Sequence, residues 1–111
     1  MRREKDLEII SHIMEYCVQI EDTVSRFGNK YDIYRNDPIY RNAIALCIIQ
    51  IGELVNKLSD EFQQEHSEIA WYQIRGMRNV ITHGYGTVDP DVTWETIQVD
   101  IPKLKDFCQN I

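Results

Sequence analysis

Residues 37–58 read DPIYRNAIALCIIQIGELVNKL, a pattern that predicts a long helix at the centre of an all-helical protein. Aspartate is a favoured N-cap and proline fits the first turn of a helix, so the helix should begin at Asp37-Pro38. A broad apolar stripe follows at spacings of three and four, formed by Ala43, Ile44, Cys47, Ile48, Ile51, Leu54, Val55 and Leu58. A stripe this broad must be covered on more than one side, which favours a central position and a place in a subunit interface.

Gly52 lies inside this apolar helix, where glycine costs about 1 kcal/mol relative to alanine. Close approach of a second helix would explain why the position has no side chain. The sequence therefore predicts a tight helix–helix contact at Gly52.

The segments on either side of this helix also have helical patterns. Upstream, apolar residues at spacings of three and four predict a helix from Lys5 to Phe27, which Gly28-Asn29 should end. Downstream, residues 59–68 are polar and could contain one short helical turn. A further helix is predicted from Ala70-Trp71 to His83, with Gly84 as its C-terminal cap and residues 85–89 as a loop.

The last predicted helix begins at Asp89-Pro90 and repeats the aspartate–proline start of the central helix. Pro102 lies inside it and should cause a kink or a one-turn break, because proline cannot donate the helical hydrogen bond. No strand pattern, repeat or linker is visible, and 111 residues form one domain, residues 1–111. Four main helices with short connections predict an all-α protein, an antiparallel four- to five-helix bundle.

The composition is ordinary for a globular domain, with 43% hydrophobic and 27% charged residues. Charged residues begin at once, and the longest apolar run, residues 43–49, is far shorter than the roughly 20 residues of a membrane helix. We therefore expect a soluble cytoplasmic protein that does not engage a membrane. Cys17, Cys47 and Cys108 lie far apart on apolar faces, which predicts buried free thiols. No close Cys or His pair occurs, so neither a structural metal nor a cofactor is predicted.

The net charge of −6 argues against a general nucleic-acid binder, but its distribution is uneven. No carboxylate lies between Glu68 and Asp89, while Arg75 and Arg78 give this stretch a charge of +2 and leave −8 on the remainder. A positive strip on an acidic body can hold a phosphate locally.

The chemistry-bearing residues lie in this strip, where residues 75–85 read RGMRNVITHGY. Asn79 and His83 are four apart and should share a helix face. Arg78 is five residues before His83 and offset from it by about 140° on the same helix. Two copies of the helix across a two-fold axis could bring an arginine and a histidine together, which favours a dimeric site.

An arginine and a histidine suit metal-free cleavage of RNA, in which the ribose 2′-hydroxyl attacks its own phosphate. Histidine exchanges protons near neutral pH, and arginine holds a phosphate and stabilises developing charge. DNA lacks the attacking hydroxyl and is not an expected substrate. From spacing alone, the same pair could instead be a surface pair in which His83 stabilises the helix C-terminus.

The whole run resembles the HepT-like branch of the HEPN superfamily. The pattern of that family is Arg, four residues, His, one residue and Tyr, which Arg78, His83 and Tyr85 match, with Asn79 at the usual second position. The resemblance covers about residues 5–110. Flanking segments are similar to the family too, and these are residues 51–54 (IGEL), 69–71 (IAW), 76–77 (GM) and 92–96 (VTWET).

The resemblance implies a homodimeric HEPN-like bundle with Arg78 and His83 of both protomers as catalytic residues in a cleft. Asn79 and Arg75 would support substrate binding. The implied activity is a metal-independent endoribonuclease directed at tRNA or mRNA, the toxin of a type II toxin–antitoxin pair. Its implied partner is a minimal nucleotidyltransferase antitoxin (MntA-like), which neutralises it by binding, by transferring AMP to Tyr85, or by both.

A non-catalytic alternative stays open at this point. The chain could be a nucleotide-binding or regulatory module that docks on a nucleotidyltransferase and accepts AMP, and the acidic net charge favours it. Trp71 and Trp94 are expected to be core residues rather than base-stacking platforms, and Glu53 a structural partner that could also reach the cleft.

Overall fold

The structure, a computed structural model, describes residues 2–83 and 89–111, with the side chains of residues 3–81 and 89–111. These two ranges are helical almost throughout and contain no strand. Their elements are α1 (Arg2–Phe27), α2 (Tyr31–Asn36), α3 (Pro38–Lys57), α4 (Asp60–Glu65), α5 (Trp71–His83), α6 (Pro90–Glu95), a π-helical segment (Thr96–Asp100) and α7 (Ile101–Gln109).

The predicted central helix is α3. The Asp37 carboxylate accepts hydrogen bonds from the backbone N–H groups of Ile39 (2.9 Å) and Tyr40 (3.3 Å), which confirms the predicted cap. The α3 stripe is buried against α1 and α5, and its members Ile44, Ile48, Ile51 and Val55 are at most 3% exposed. By length and composition α3 could also cross a membrane, but a buried core helix passes the same test.

Contacts at the helix ends fix the directions of packing. The ring of Phe27, at the end of α1, stacks on Tyr40 near the start of α3 with ring centres 4.9 Å apart. Asp6, near the start of α1, hydrogen-bonds Ser59 just after α3, so α1 and α3 are antiparallel. The long helices α1, α3 and α5 and the arm from α6 to α7 form the predicted all-α bundle, to which the short α2 and α4 are added.

The sequence did not predict α2, because long-range contacts hold this short helix. The Tyr34 side chain is 2% exposed, and its hydroxyl lies 2.6 Å from the Thr93 hydroxyl oxygen. The Tyr31 hydroxyl donates to the Asp91 carboxylate. The local spacing of apolar residues gives no information about partners that are about 60 residues away. These contacts also hold α6 against the bundle.

The predicted break in the last helix is confirmed, and it takes the form of the π-helical segment that precedes Pro102. Proline has no N–H to donate to the carbonyl four residues earlier, and its ring crowds the preceding turn. A widened turn before the proline relieves both problems. The predicted Gly84 cap and almost all of the predicted loop lie outside the described residues.

Both tryptophans pack in or against the hydrophobic core, where they were predicted to lie, and each contacts other aromatic rings. Trp71 is 4% exposed and contacts the rings of Phe62 and Phe107. Trp94 is partly buried against Tyr34, with ring centres 5.2 Å apart. Neither ring is available as a flat, open platform for a nucleic-acid base.

The buried Asp6 carboxylate joins the start of α1 to the α3–α4 junction. It accepts hydrogen bonds from the Ser59 backbone N–H (2.9 Å) and hydroxyl (2.7 Å). Asp6→Ala should destabilise the fold by about 2 kcal/mol, because bonds to a charged group contribute more than neutral ones and Ser59 loses its acceptor. Thermal unfolding should show a fall in Tm of about 8 °C. Glu8→Ala, at an exposed α1 position, is the control, and an equal loss in both variants would contradict this role.

The three cysteines are free and buried, as predicted. Burial raises the pKa of the Cys17 thiol to about 12 and that of Cys108 to about 11. Because the pKa of Cys17 rises from its ordinary value of 9.0, its thiolate should be about 1000-fold scarcer near pH 8 than in the unfolded chain. We expect negligible modification of native protein by Ellman's reagent at pH 8 and three reactive thiols in urea. Rapid labelling of native Cys17 would refute the buried placement.

Candidate active site

The site is built where α5 crosses α3 at Gly52. A Cβ atom added to Gly52 would lie 2.4 Å from the Cβ of Arg78, far inside van der Waals contact. The predicted tight contact at Gly52 is therefore confirmed, and its partner is the first carbon of the candidate catalytic arginine. The absence of a side chain at position 52 lets the Arg78 stem lie directly on α3.

The Arg78 guanidinium extends from this crossing to two polar partners. Its Nη1 donates to the Glu53 carboxylate at 2.6 Å, and its Nε and Nη2 donate to the Asn79 side-chain oxygen at 3.1 and 2.5 Å. The Arg78 side chain is 26% exposed and that of Glu53 is 47% exposed, so the cluster reaches the surface. Ion pairs in such half-exposed positions add little stability, but three bonds fix the guanidinium plane.

A guanidinium has five N–H donors, and these bonds use three of them. One N–H remains on each terminal nitrogen, and no described residue accepts from either of them. Two N–H groups on one rigid plane match two oxygens of a phosphate. Glu53 and Asn79 therefore orient Arg78, and two of its N–H groups have no acceptor among the described residues and could meet an anionic ligand.

Arg75 lies about one turn before Arg78 and has a different partner. Its guanidinium carbon lies 6.0 Å from the centre of the Tyr72 ring, a cation–π distance. Arg75 is half-buried, whereas Tyr72 is exposed. The structure thus places the two arginines of the carboxylate-free strip in separate clusters.

Comparison with known proteins assigns the chain to a family. The protein-family model described as Ribonuclease HepT-like matches residues 7–111 of this chain. This chain belongs to the HepT-like ribonuclease family. That HepT-like assignment confirms the resemblance inferred from residues 78–85.

Relatives of this HepT-like chain carry ribonuclease names. A candidate RNase from Caldanaerobacter subterraneus subsp. tengcongensis is 33% identical over 86% of this chain and 84% of its own. One from Methanocaldococcus jannaschii is 30% identical over 84% of this chain and 75% of its own. A protein named Probable ribonuclease HepT from Thermococcus cleftensis is 40% identical over 57% of each chain. No solved structure matches the chain significantly.

The HepT-like motif residues are only partly described. Asn79 was expected to share a face with His83, and its side chain binds Arg78. His83 is the last residue of α5, but its side chain lies outside the described residues, and so does Tyr85. The meeting of Arg78 with His83 and the role of Tyr85 therefore stay predictions.

Glu53 is a site residue for which the sequence analysis named no partner. It was expected to be a structural partner that could also reach the cleft, and it is the ion-pair partner of Arg78. Its position directly after Gly52 could have indicated this role. A residue next to the point where two helices cross lies close to the side chains of the second helix. Among the described residues, no group of three or more His, Cys, Asp or Glu side chains is arranged to hold a metal ion.

Proposed function

We propose that this HepT-like chain is the toxin of a type II toxin–antitoxin pair, an endoribonuclease that cleaves tRNA or mRNA without a metal ion. The observation that carries the proposal is the Arg78 guanidinium, which Glu53 and Asn79 orient. Two of its N–H donors have no acceptor in the part of the chain that the structure describes, and they suit a phosphate. Family membership supplies RNA as the substrate class.

In the proposed mechanism, the ribose 2′-hydroxyl attacks the adjacent phosphorus, and the 5′-oxygen of the next nucleotide leaves. His83 transfers protons: the 2′-hydroxyl gives up its proton and the leaving 5′-oxygen gains one, so one P–O bond is exchanged for another with no net change in protons. Arg78 binds the non-bridging oxygens and stabilises their added charge in the transition state. Because Glu53 and Asn79 hold Arg78 in place, little reorganisation is needed when that charge develops.

We further propose that the active form is a homodimer. The helical offset of about 140° between Arg78 and His83 favours a site completed by a second copy. Exposed apolar side chains on the same two helices also support it, because Ile39 and Leu46 on α3 and Val80 on α5 are 68%, 59% and 57% exposed. Ile39 and Leu46 lie seven residues apart, and Glu53 lies seven after Leu46, so these three share one face of α3.

The proposed partner is a minimal nucleotidyltransferase of the MntA type in the cytoplasm. It would neutralise the toxin by binding, by transferring AMP from ATP to the Tyr85 hydroxyl with release of pyrophosphate, or by both. A bulky anion attached two residues after His83 would compete with substrate for Arg78.

Expression in bacteria tests the proposed activity. Wild-type protein should arrest growth and shorten tRNA or mRNA, whereas His83→Ala should do neither at equal protein level. Purified wild-type protein should cleave RNA in the presence of EDTA. Normal growth and intact RNA with the wild-type protein would refute the proposal.

The net charge of −6 favours a second candidate, a non-catalytic module that docks on a nucleotidyltransferase and presents Tyr85 as its AMP acceptor. Intact-mass measurement after co-expression separates the two functions. A gain of one AMP on a protein that has no RNase activity supports the module. A gain that abolishes measured RNase activity supports the toxin.

Glu53→Ala should lower kcat for RNA cleavage by about 10-fold or more, because misplacing a charge-stabilising group weakens the transition state more than substrate binding. Glu53→Gln should lose less, since its amide oxygen can still accept from Arg78. The exposed Glu15→Ala on α1 controls for the change in net charge. Equal kcat in Glu53→Ala and wild type would show that Arg78 is positioned without Glu53.

A further inference from the structure

The outward face of α5 carries the most exposed large apolar side chain among the described residues. Tyr72 is 80% exposed, although its neighbour Trp71 is 4% exposed in the core. Burying a tyrosine ring is favourable, and a ring this exposed gains nothing from the fold. Its ring is therefore open to contact with a ligand.

The surroundings of Tyr72 suit a flat anionic ligand. The Arg75 guanidinium lies 6.0 Å from the ring centre and adds positive charge beside it. Gly76 is one turn after Tyr72 on the same face, and a Cβ added there would meet nothing within 4 Å. The ring thus borders open space on a helix surface that carries no acidic residue.

Tyr72, Arg75 and Arg78 follow one another at spacings of three along α5. Tyr72 and Arg78 are six residues apart, which corresponds to about 9 Å along the helix axis and about 120° around it, with Arg75 between them. A strand with one phosphate at Arg78 could pass around α5 by way of Arg75 and place a nucleotide further along at Tyr72. No carboxylate lies between Glu68 and Asp89, so a polyanion meets no like charge from this stretch of the chain.

We propose that Tyr72, Arg75 and Gly76 form a subsite for one unpaired nucleotide of the RNA substrate. The base stacks on the Tyr72 ring in the space that Gly76 leaves open, and Arg75 binds the adjoining phosphate. Every base has an aromatic face, so the subsite selects single-stranded RNA without selecting a sequence. This inference rests on the proposed RNase function and identifies the substrate as unpaired RNA.

Binding of a fluorescein-labelled single-stranded RNA oligonucleotide tests the subsite. The His83→Ala protein serves as the background so that the oligonucleotide stays intact, and fluorescence anisotropy gives Kd. Tyr72→Ala should raise Kd by about 10-fold, while Tyr72→Phe should change it by less than about 2-fold, because a phenyl ring still stacks. Gly76→Met, which fills the open space without disturbing a contact, should weaken binding as Tyr72→Ala does.

Two controls separate the subsite from general electrostatics. Arg26→Ala removes one exposed charge from α1 and should affect binding much less than Arg75→Ala. An oligonucleotide with abasic residues should lose the same affinity as Tyr72→Ala, and combining the two should give no further loss, because both delete one stacking contact.

The outcomes also separate this inference from the proposed function. If RNA binds and wild-type protein cleaves it, but Tyr72→Ala binds like the background protein, the subsite is wrong and the RNase proposal stands. If no RNA binds or is cleaved, both fail. If Tyr72→Ala keeps RNA binding but loses binding to a co-expressed nucleotidyltransferase, the face is a protein-docking surface and the subsite is overturned.

Discussion

Replacing Arg78 with alanine is expected to reduce kcat/KM for RNA cleavage by about 100-fold or more. Removing a preorganised donor to developing negative charge has effects of this size in other enzymes. The fold should survive, because alanine keeps the Cβ that packs on Gly52 and loses only partly exposed polar contacts with Glu53 and Asn79. Steady-state cleavage of a labelled RNA and the Tm of the same preparation measure the two effects.

Two matched variants show whether geometry or charge is responsible for the Arg78 effect. Arg78→Lys keeps the charge but cannot donate from a rigid plane to Glu53, Asn79 and a phosphate together, so most activity should be lost. Arg26→Ala removes an equal charge from the exposed end of α1 and should cleave normally. Full activity in Arg78→Lys would show that Arg78 contributes only net positive charge.

Gly52→Ala is expected to lower Tm by about 8 °C, which corresponds to a loss of about 2 kcal/mol from the free energy of unfolding. The added methyl would lie 2.4 Å from the Arg78 Cβ. That atom is fixed to the α5 backbone and cannot swing away as the end of a long side chain can. The helices must separate, and this cost exceeds the gain of about 1 kcal/mol in helix propensity.

Gly76→Ala is the matched control, since it makes the same substitution in the other helix of the pair. A Cβ at Gly76 meets nothing within 4 Å, so the helix-propensity gain is unopposed and Tm should rise by about 4 °C. Opposite shifts in the two variants would identify the helix crossing as the cause. A rise in Tm for Gly52→Ala would refute the close contact between α3 and α5.

The parts of the fold that could be predicted from the sequence are those with local chemical signals. Asp37 and Pro38 mark the start of α3, and Gly28, with a φ of +116°, permits the left-handed turn that ends α1. Pro102 indicates the irregular turn in the last helix. By contrast, α2 depends on the contact between Tyr34 and Thr93, and no short-range pattern records a partner so far along the chain.

In the candidate site, too, some features could be predicted from the sequence and others could not. Arg78 and Asn79 are adjacent in the sequence, and the motif identified them. The contact between Glu53 and Arg78 joins two helices across 25 residues, so it could be recognised only once α3 and α5 were placed together. Gly52 was the one advance indication of that crossing, because a glycine inside an apolar helix suggests a close neighbour.

The packing of the Arg78 stem on Gly52 also limits which substitutions this sequence can accept during evolution. A larger residue at position 52 pushes α5 away and displaces the Arg78 guanidinium. A single substitution there should therefore reduce both the stability of the fold and the activity of the site. Substitutions at position 52 should therefore be rare among descendants of this chain. Random-mutagenesis libraries selected only for heat resistance should retain glycine there, even without selection for activity.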